Sequence, residues 1–293
     1  MQNKNMQKIG RERSQDLRRG LTSNLRKTNQ PCSDWAKHLF VDNAHLYANV
    51  LEARGKIAEG VAIAGEISEF LASHGIKRGN VLDIPCGTGR VSAPLSNQFG
   101  YTVTGVDLSP TLVEMALAKN RNERSRFMVG SMQNLGGLFA EERFDAAINV
   151  FTSIGYGTER DDINFFKSLR NFVKDDGIFI IHTLMNREYL VAHFDERPTD
   201  YIDAGSLTMY ESRTFDRATS RVKAEREFYG SAGEDGLELL GKSSSDMRIY
   251  APSEVAGMLT ITGWKVLHVV DDLASMQKVT PETIRFAVVA KRD

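Results

Sequence analysis

Cysteine is nearly absent from this chain. Only Cys32 and Cys86 occur among 293 residues, far apart and not spaced as a metal-type pair. That count argues against a disulfide framework or a zinc module and fits a reducing cytoplasm. Long apolar runs are missing too: none approaches the roughly 20 residues that span a bilayer. The first residues lack the apolar stretch of a secretory leader, so none is expected. The six histidines (His38, His45, His74, His182, His193, His268) show no ligand-like spacing with cysteines or acids, and no metal is expected. What remains is ordinary for a soluble globular protein, 41% hydrophobic and 26% charged. The length suits one large domain, or a core with an elaboration.

The net charge of −1 hides an asymmetry. Residues 1–30 carry eight Lys or Arg against Glu12 and Asp16, a net of +6, which leaves the rest of the chain near −7. A basic arm (residues 1–34) binds nucleic acid through phosphates, or it is a solvated tail or a helix packed on an acidic body. No aromatic residue precedes Trp35, so base stacking is not encoded there. The structural reading is favoured and nucleic acid stays open.

The most informative stretch is Val81-Leu82-Asp83-Ile84-Pro85-Cys86-Gly87-Thr88-Gly89-Arg90. It reads as a short apolar strand that ends in an acid and breaks into a glycine turn, with a helix-forming run from Val91 to Gln98 behind it. A second apolar run, Tyr101 to Val106, ends in Asp107, 20 residues after Gly87. Strand, glycine turn, helix and acid-tipped strand form a nucleoside-binding half-site of the doubly wound type. Glycine lets the backbone approach the ligand, and the second acid is placed to accept from a ribose diol. A dinucleotide site would want a third glycine, but Gly87-Thr88-Gly89 runs on to Arg90-Val91-Ser92. Asp83 suits an amino group better than a phosphate, and a nicotinamide site remains the rival.

Asp-x-x-x-Gly-x-Gly with a strand-end acid resembles the class I S-adenosylmethionine (SAM)-dependent methyltransferases over roughly residues 40–293. The resemblance implies SAM as cofactor. Asp83 with Pro85, Cys86, Gly87, Thr88, Gly89 and Arg90 would meet the methionine end, and Asp107 with Leu108 the ribose. Ser131 and Met132 would lie at the adenine. Pro85 stands where the family usually has glycine, and Ser131 where it often has an acid, which weakens that adenine contact. Cys86 is read as a small turn residue and not as a reactive thiol.

Helical spacing of apolar residues runs from Trp35 to Leu71, with Gly55, Gly60 and Gly65 expected to bend or divide it. The resemblance makes residues 35–78 a helical lid, in which Tyr47 meets the methionine carboxylate or shapes the acceptor pocket; ordinary packing is the alternative. Ser109-Pro110 caps a helix running to about Asn122. Further strands are expected at Phe127–Val129, Phe144–Phe151 and Ile178–Thr183, the last after a turn at Asp175-Asp176-Gly177. Strand and helix alternate, as in a parallel α/β sheet with right-handed crossovers. Residues 186–250 switch to period two and predict a three-stranded antiparallel insert. Trp264–Val270 and Thr283–Ala290 are the last expected strands, and the resemblance makes them the terminal hairpin of a seven-stranded sheet. The fold class is thus α/β, a Rossmann-like seven-stranded, mostly parallel sheet with N-terminal helices and a β insert after strand five. The core would comprise residues 79–185 and 251–293.

Methyl transfer is an in-line displacement that asks for alignment and dryness more than for a heavy catalytic apparatus. Asn149, at the tip of strand four, is expected to face the methionine moiety or substrate, or to be a polar strand cap. Asn149 to Gly157 resembles the loop after strand four in small-molecule methyltransferases, including sugar-amine N-methyltransferases. Gly155 and Gly157 flank Tyr156, either a phenol presented to the acceptor or a buried anchor. His182, at the end of strand five, is a candidate base or a merely bonded histidine. Tyr210, Glu211, Arg248 and Tyr250 are candidates for the substrate face. The resulting expectation is methylation of a small-molecule amine, with a homo-oligomer possible. Rivals are an RNA or protein methyltransferase using the basic arm, and a non-catalytic SAM-binding partner subunit.

Overall fold

The computed structural model describes residues 34–120, 122–195, 200–231 and 237–292. The basic arm, apart from Asp34, lies outside the described residues.

The N-terminal region divides in two. Helix α1 (Asp34–Lys37), a wide turn at His38–Asp42 and α2 (Ala44–Ala53) precede a long helix α3 (Lys56–Ser73). Gly55, at φ 68°, separates α2 from α3, but Gly60 and Gly65 lie inside one continuous helix. Ile63, Ile67, Phe70 and Leu71 recur at helical spacing and bury against the sheet residues Val81, Val103 and Ile148. Burial of this kind contributes about 2 kcal/mol per large side chain, which makes α3 a core helix. The lid expected over 35–78 therefore reduces to α1, the turn and α2.

Strands β1 (Asn80–Asp83), β2 (Thr102–Asp107), β3 (Ser125–Val129), β4 (Phe144–Val150) and β5 (Val173–Met185) run parallel. Between them stand α4 (Ser92–Asn97), α5 (Pro110–Lys119) and α6 (Glu159–Leu169). The Ser109 hydroxyl caps α5 by accepting from the Leu112 N–H at 3.2 Å, as its position before Pro110 predicts. The turn expected at 175–177 is a bulge within a longer β5: Asp176 sits at φ 65°, and the pairing with β4 slips between Phe144 and Ala146. Apolar clusters cover both faces of the sheet, which is why β4 and β5 read as near-continuous apolar runs.

After β5 come α7 (Arg187–His193) and an antiparallel sheet of four strands, one more than expected: β6 (Asp200–Asp203), β7 (Leu207–Asp216), β8 (Arg221–Ser231) and β9 (Leu237–Arg248). Residues 237–246 lack clean alternation, and β6 has only four residues, so both are made strands by pairing rather than by pattern. Helix α8 (Pro252–Ile261) returns the chain to the main sheet, which closes with β10 (Trp264–Val270) and β11 (Arg285–Arg292). The strand order is β10-β11-β5-β4-β1-β2-β3, with β11 antiparallel to both neighbours. The winding reverses between β1 and β4, so the C-terminal ends of β1, β2 and β4 bracket a cleft. Leu39 and Val50 of the N-terminal segment pack on Leu207, Met209 and Phe228 of the small sheet. This contact roofs the cleft. No helix among the described residues is long and apolar enough to cross a membrane.

Candidate cofactor and acceptor site

One wall of the cleft is made by two carboxylates and a turn. Asp83, at the tip of β1, is buried, and its Oδ2 accepts from the Ser92 hydroxyl at 2.5 Å. Burial above all, with the nearby Asp107 charge adding to it, pushes the Asp83 carboxyl up to about 7. Gly87 (φ 55°) and Gly89 (φ 74°) take the left-handed conformations that bend the chain between β1 and α4. Asp107, at the tip of β2, accepts from the Gly87 N–H at 2.8 Å and the Ser109 N–H at 2.9 Å. It thereby joins the turns after β1 and β2. Burial raises its carboxyl to about 6 despite those donors.

Pro85, Cys86, Thr88 and Arg90 continue this wall. Burial, with the Asp107 and Asp83 charges added, raises the Cys86 thiol well above its usual range, so the bland reading of that residue fits. The Arg90 guanidinium lies 3.4 Å over the Phe151 ring, and its buried Nη1 has no protein partner. Burial pulls its pKa down, but a guanidinium stays charged at neutral pH. A buried donor without an acceptor next to Asp83 makes a cation–anion pair of positions, which fits the carboxylate and ammonium of an amino acid. Leu108, Ser131 and Met132 line the far end of the cleft together with Gln133. The Ser131 hydroxyl accepts from the Gln133 N–H at 3.2 Å and caps the short turn Met132–Gly137.

The opposite wall is aromatic. Phe40 and Tyr47 descend from the roof and meet Tyr156 from the loop after β4. Phe40 stacks on Tyr156 at 5.5 Å and 18°, and Trp35 meets it edge-on at 5.0 Å. Burial raises the Tyr156 phenol far above its ordinary value and raises that of Tyr47, so both stay protonated at neutral pH. Asp161 and Asp162 complete this side.

Of the expected cofactor-binding and catalytic residues, Gly89, Asn149 and His182 do not line the cleft, nor do Tyr210, Glu211, Arg248 and Tyr250, the candidates for the substrate face. Gly89 packs behind the turn, where a Cβ would come within 2.9 Å of the Asn120 side chain. Asn149 is fully buried and donates to the Ile84 carbonyl at 2.7 Å, a strap between β4 and β1. His182 follows Ile178 and Ile180 on the α3 face of β5, and its Nε2 lies 2.9 Å from Oε2 of Glu66. Alternation along the strand turns the imidazole away from the cleft, which corrects its expected role as a base. Phe40, Gln133, Asp161 and Asp162 are lining residues that the sequence does not single out. Phe40 falls within the apolar helical pattern from Trp35 to Leu71, and no motif marks the two aspartates. Among the described residues no group of three or more His, Cys, Asp or Glu side chains is placed to hold a metal ion.

The family described as Methyltransferase domain matches residues 81–177. The Putative methyltransferase YqeM of Bacillus subtilis (strain 168) is 33% identical over 106 residues, 36% of this chain and 42% of that protein. This chain therefore spans less than half the length of that relative. The dTDP-3-amino-3,6-dideoxy-alpha-D-glucopyranose N,N-dimethyltransferase of Streptomyces fradiae is 29% identical over 197 residues, 66% of this chain and 72% of that protein. In fold, the chain resembles DesVI of Streptomyces venezuelae with a TM-score of 0.67 at 19% identity, over 86% of this chain and 99% of DesVI. A SAM-dependent methyltransferase from Clostridium acetobutylicum ATCC 824 gives 0.67 at 21% identity, over 78% and 90%. At such identities the likeness speaks for the fold alone. Residues 81–177 thus match a methyltransferase domain, and with the Asp-x-x-x-Gly-x-Gly turn and the strand order the chain has the fold of the class I S-adenosylmethionine-dependent methyltransferases.

Proposed function

We propose that the protein methylates the amine of a small-molecule acceptor with SAM as donor, and that the acceptor is an amino sugar carried on a nucleotide. The observation that carries the reading is one cleft with two unlike walls, carboxylates and glycine turn on one side and aromatic rings on the other. The named activity of the Streptomyces fradiae relative supports the sugar class.

Asp83 and Arg90 would hold the methionine ammonium and carboxylate, Asp107 the ribose, and Met132 with Leu108 the adenine. The bound sulfonium supplies an electrophilic methyl carbon. Everything else falls to the chain: holding the acceptor nitrogen in line and keeping water out. Tyr156, held protonated by burial, hydrogen-bonds and orients the acceptor and does not serve as the base. The amine must then arrive neutral, which ties turnover to the acceptor's own proton affinity. Phe40, Tyr47 and Trp35 close the roof on Tyr156 and exclude solvent. We place the reaction in a reducing cytoplasm, consistent with the free thiol of Cys86. A macromolecular acceptor would depend on the basic arm and is not favoured.

Isothermal titration tests the cofactor half: one SAM site per chain is expected. Transfer of labelled methyl from SAM to dTDP-3-amino-3,6-dideoxyglucose tests the acceptor half. Absence of SAM binding sinks the whole reading; binding without transfer to any amino sugar sinks only the sugar.

A further inference from the structure

Gly155 is the meeting point of segments far apart in sequence. It sits at φ 84°, and a Cβ there would fall 2.1 Å from the Arg248 carbonyl oxygen, so only glycine admits this contact. Its carbonyl accepts from the Arg248 N–H at 2.8 Å, and its own N–H donates to Oδ2 of Asp162 at 3.0 Å. The same oxygen accepts from the Tyr250 hydroxyl at 2.6 Å. One carboxylate oxygen thus ties the loop that bears Tyr156 to the end of the last insert strand. Arg248 braces the tie through Glu159 at 3.2 Å and Glu254 at 2.7 Å.

Asp162 is buried, yet it borders the cleft. A buried carboxylate is costly unless the bonds it accepts are complete. Its two donors come from the acceptor loop and from the exit of the insert. We propose that Asp162 is a positioning residue: through Gly155 and Tyr250 it fixes the Tyr156 loop to the end of the insert sheet, so that the Tyr156 phenol keeps its place in the cleft wall. This rests on the methyl-transfer reading above.

The tie is sensitive to pH. Burial chiefly, with Asp161 and Glu159 on its own helix adding to it, raises the Asp162 carboxyl to about 6 against the Tyr250 and Gly155 bonds. Arg248 from the end of β9 and Glu254 from α8 are the other charges at this junction. Below pH 6 the carboxyl is neutral, and both bonds lose their charge-assisted strength.

Trp35 reports on the loop, because its indole contacts Tyr156 while Trp264 is buried in the core. Fluorescence and acrylamide quenching of the full chain, with and without SAM, should show a transition near pH 6 that W35F removes. D162N keeps an acceptor oxygen but has no charge to lose, so its transition should shrink at least about twofold, the remainder belonging to Asp83 and Asp107 in the same cleft. Y250F should keep the transition and raise quenching at pH 7.5 about twofold, while SAM affinity stays within about threefold in both variants. A transition of undiminished size in D162N, or quenching unchanged in Y250F, overturns the proposal. Both substitutions are near-isosteric, and thermal melts confirm that the variants remain folded. Failure of the wild type to bind SAM would refute the methyl-transfer reading instead, and the ligand-free titration would still decide the tie.

Discussion

The two walls of the cleft are assembled on different principles. The carboxylate wall comes mainly from residues 83–108, where each functional group is fixed by a neighbour close in sequence: Asp83 by Ser92, Asp107 by Gly87 and Ser109. The aromatic wall is built from segments far apart in sequence, with Trp35 and Phe40 on Tyr156, and Arg248 and Tyr250 at Gly155 and Asp162. A cofactor common to many reactions suits a local, self-contained cradle. An acceptor surface that differs between enzymes suits parts that can be exchanged without disturbing that cradle.

The sharpest way to break the comparison is to disable the local wall. Asp107→Ala removes the proposed ribose acceptor and the staple between two turns; SAM affinity should fall at least about 100-fold in isothermal titration, as expected for two lost charge-assisted bonds. Phe40→Ala acts on the other wall. Methyl transfer should drop about tenfold while SAM affinity holds within about threefold, because the loss is of aromatic packing worth about 1 kcal/mol and of solvent exclusion. A matching loss of SAM affinity would mean that the walls are not separable.

Protonation sharpens the same contrast. The folded values of Asp83 and Asp107, about 7 and about 6, lie above the ordinary 3.8. Between pH 4 and 7 the folded chain therefore retains protons that the unfolded chain has released. Ligand-free stability is greatest at the acid end of that window, declines as pH rises to about 7 and then levels. On the proposed roles of Asp83 and Asp107, SAM binds the charged carboxylates, and its affinity should show the opposite trend, rising about tenfold from pH 5.5 to 7.5. Asp83→Asn should flatten both curves in melting and titration series. The smallest effect is expected at His182, which faces α3 and not the cleft. His182→Gln should cost about 1 kcal/mol of stability and leave turnover within about twofold.

The cofactor wall was legible in the chain because its geometry follows from short-range rules: an acid ends a strand, glycines turn, a helix starts, and a second strand brings another acid alongside. The parallel α/β class also followed from alternation of strand and helix, and the seven-stranded sheet from the family resemblance. The insert was only half legible, since β6 and residues 237–246 become strands through pairing with neighbours and not through their own pattern. Asn149 and His182 sit at strand ends as expected, but which face each presents depends on register and on the bulge in β5.

Sequence alone determined the nucleoside cradle, since hydrogen bonds spanning up to about two dozen residues and left-handed glycines are set by local chain geometry. Tertiary structure alone decided the aromatic wall, the core role of α3 and the tie at Asp162. These depend on which distant surfaces bury one another, and burial is a property of the folded whole rather than of any one segment.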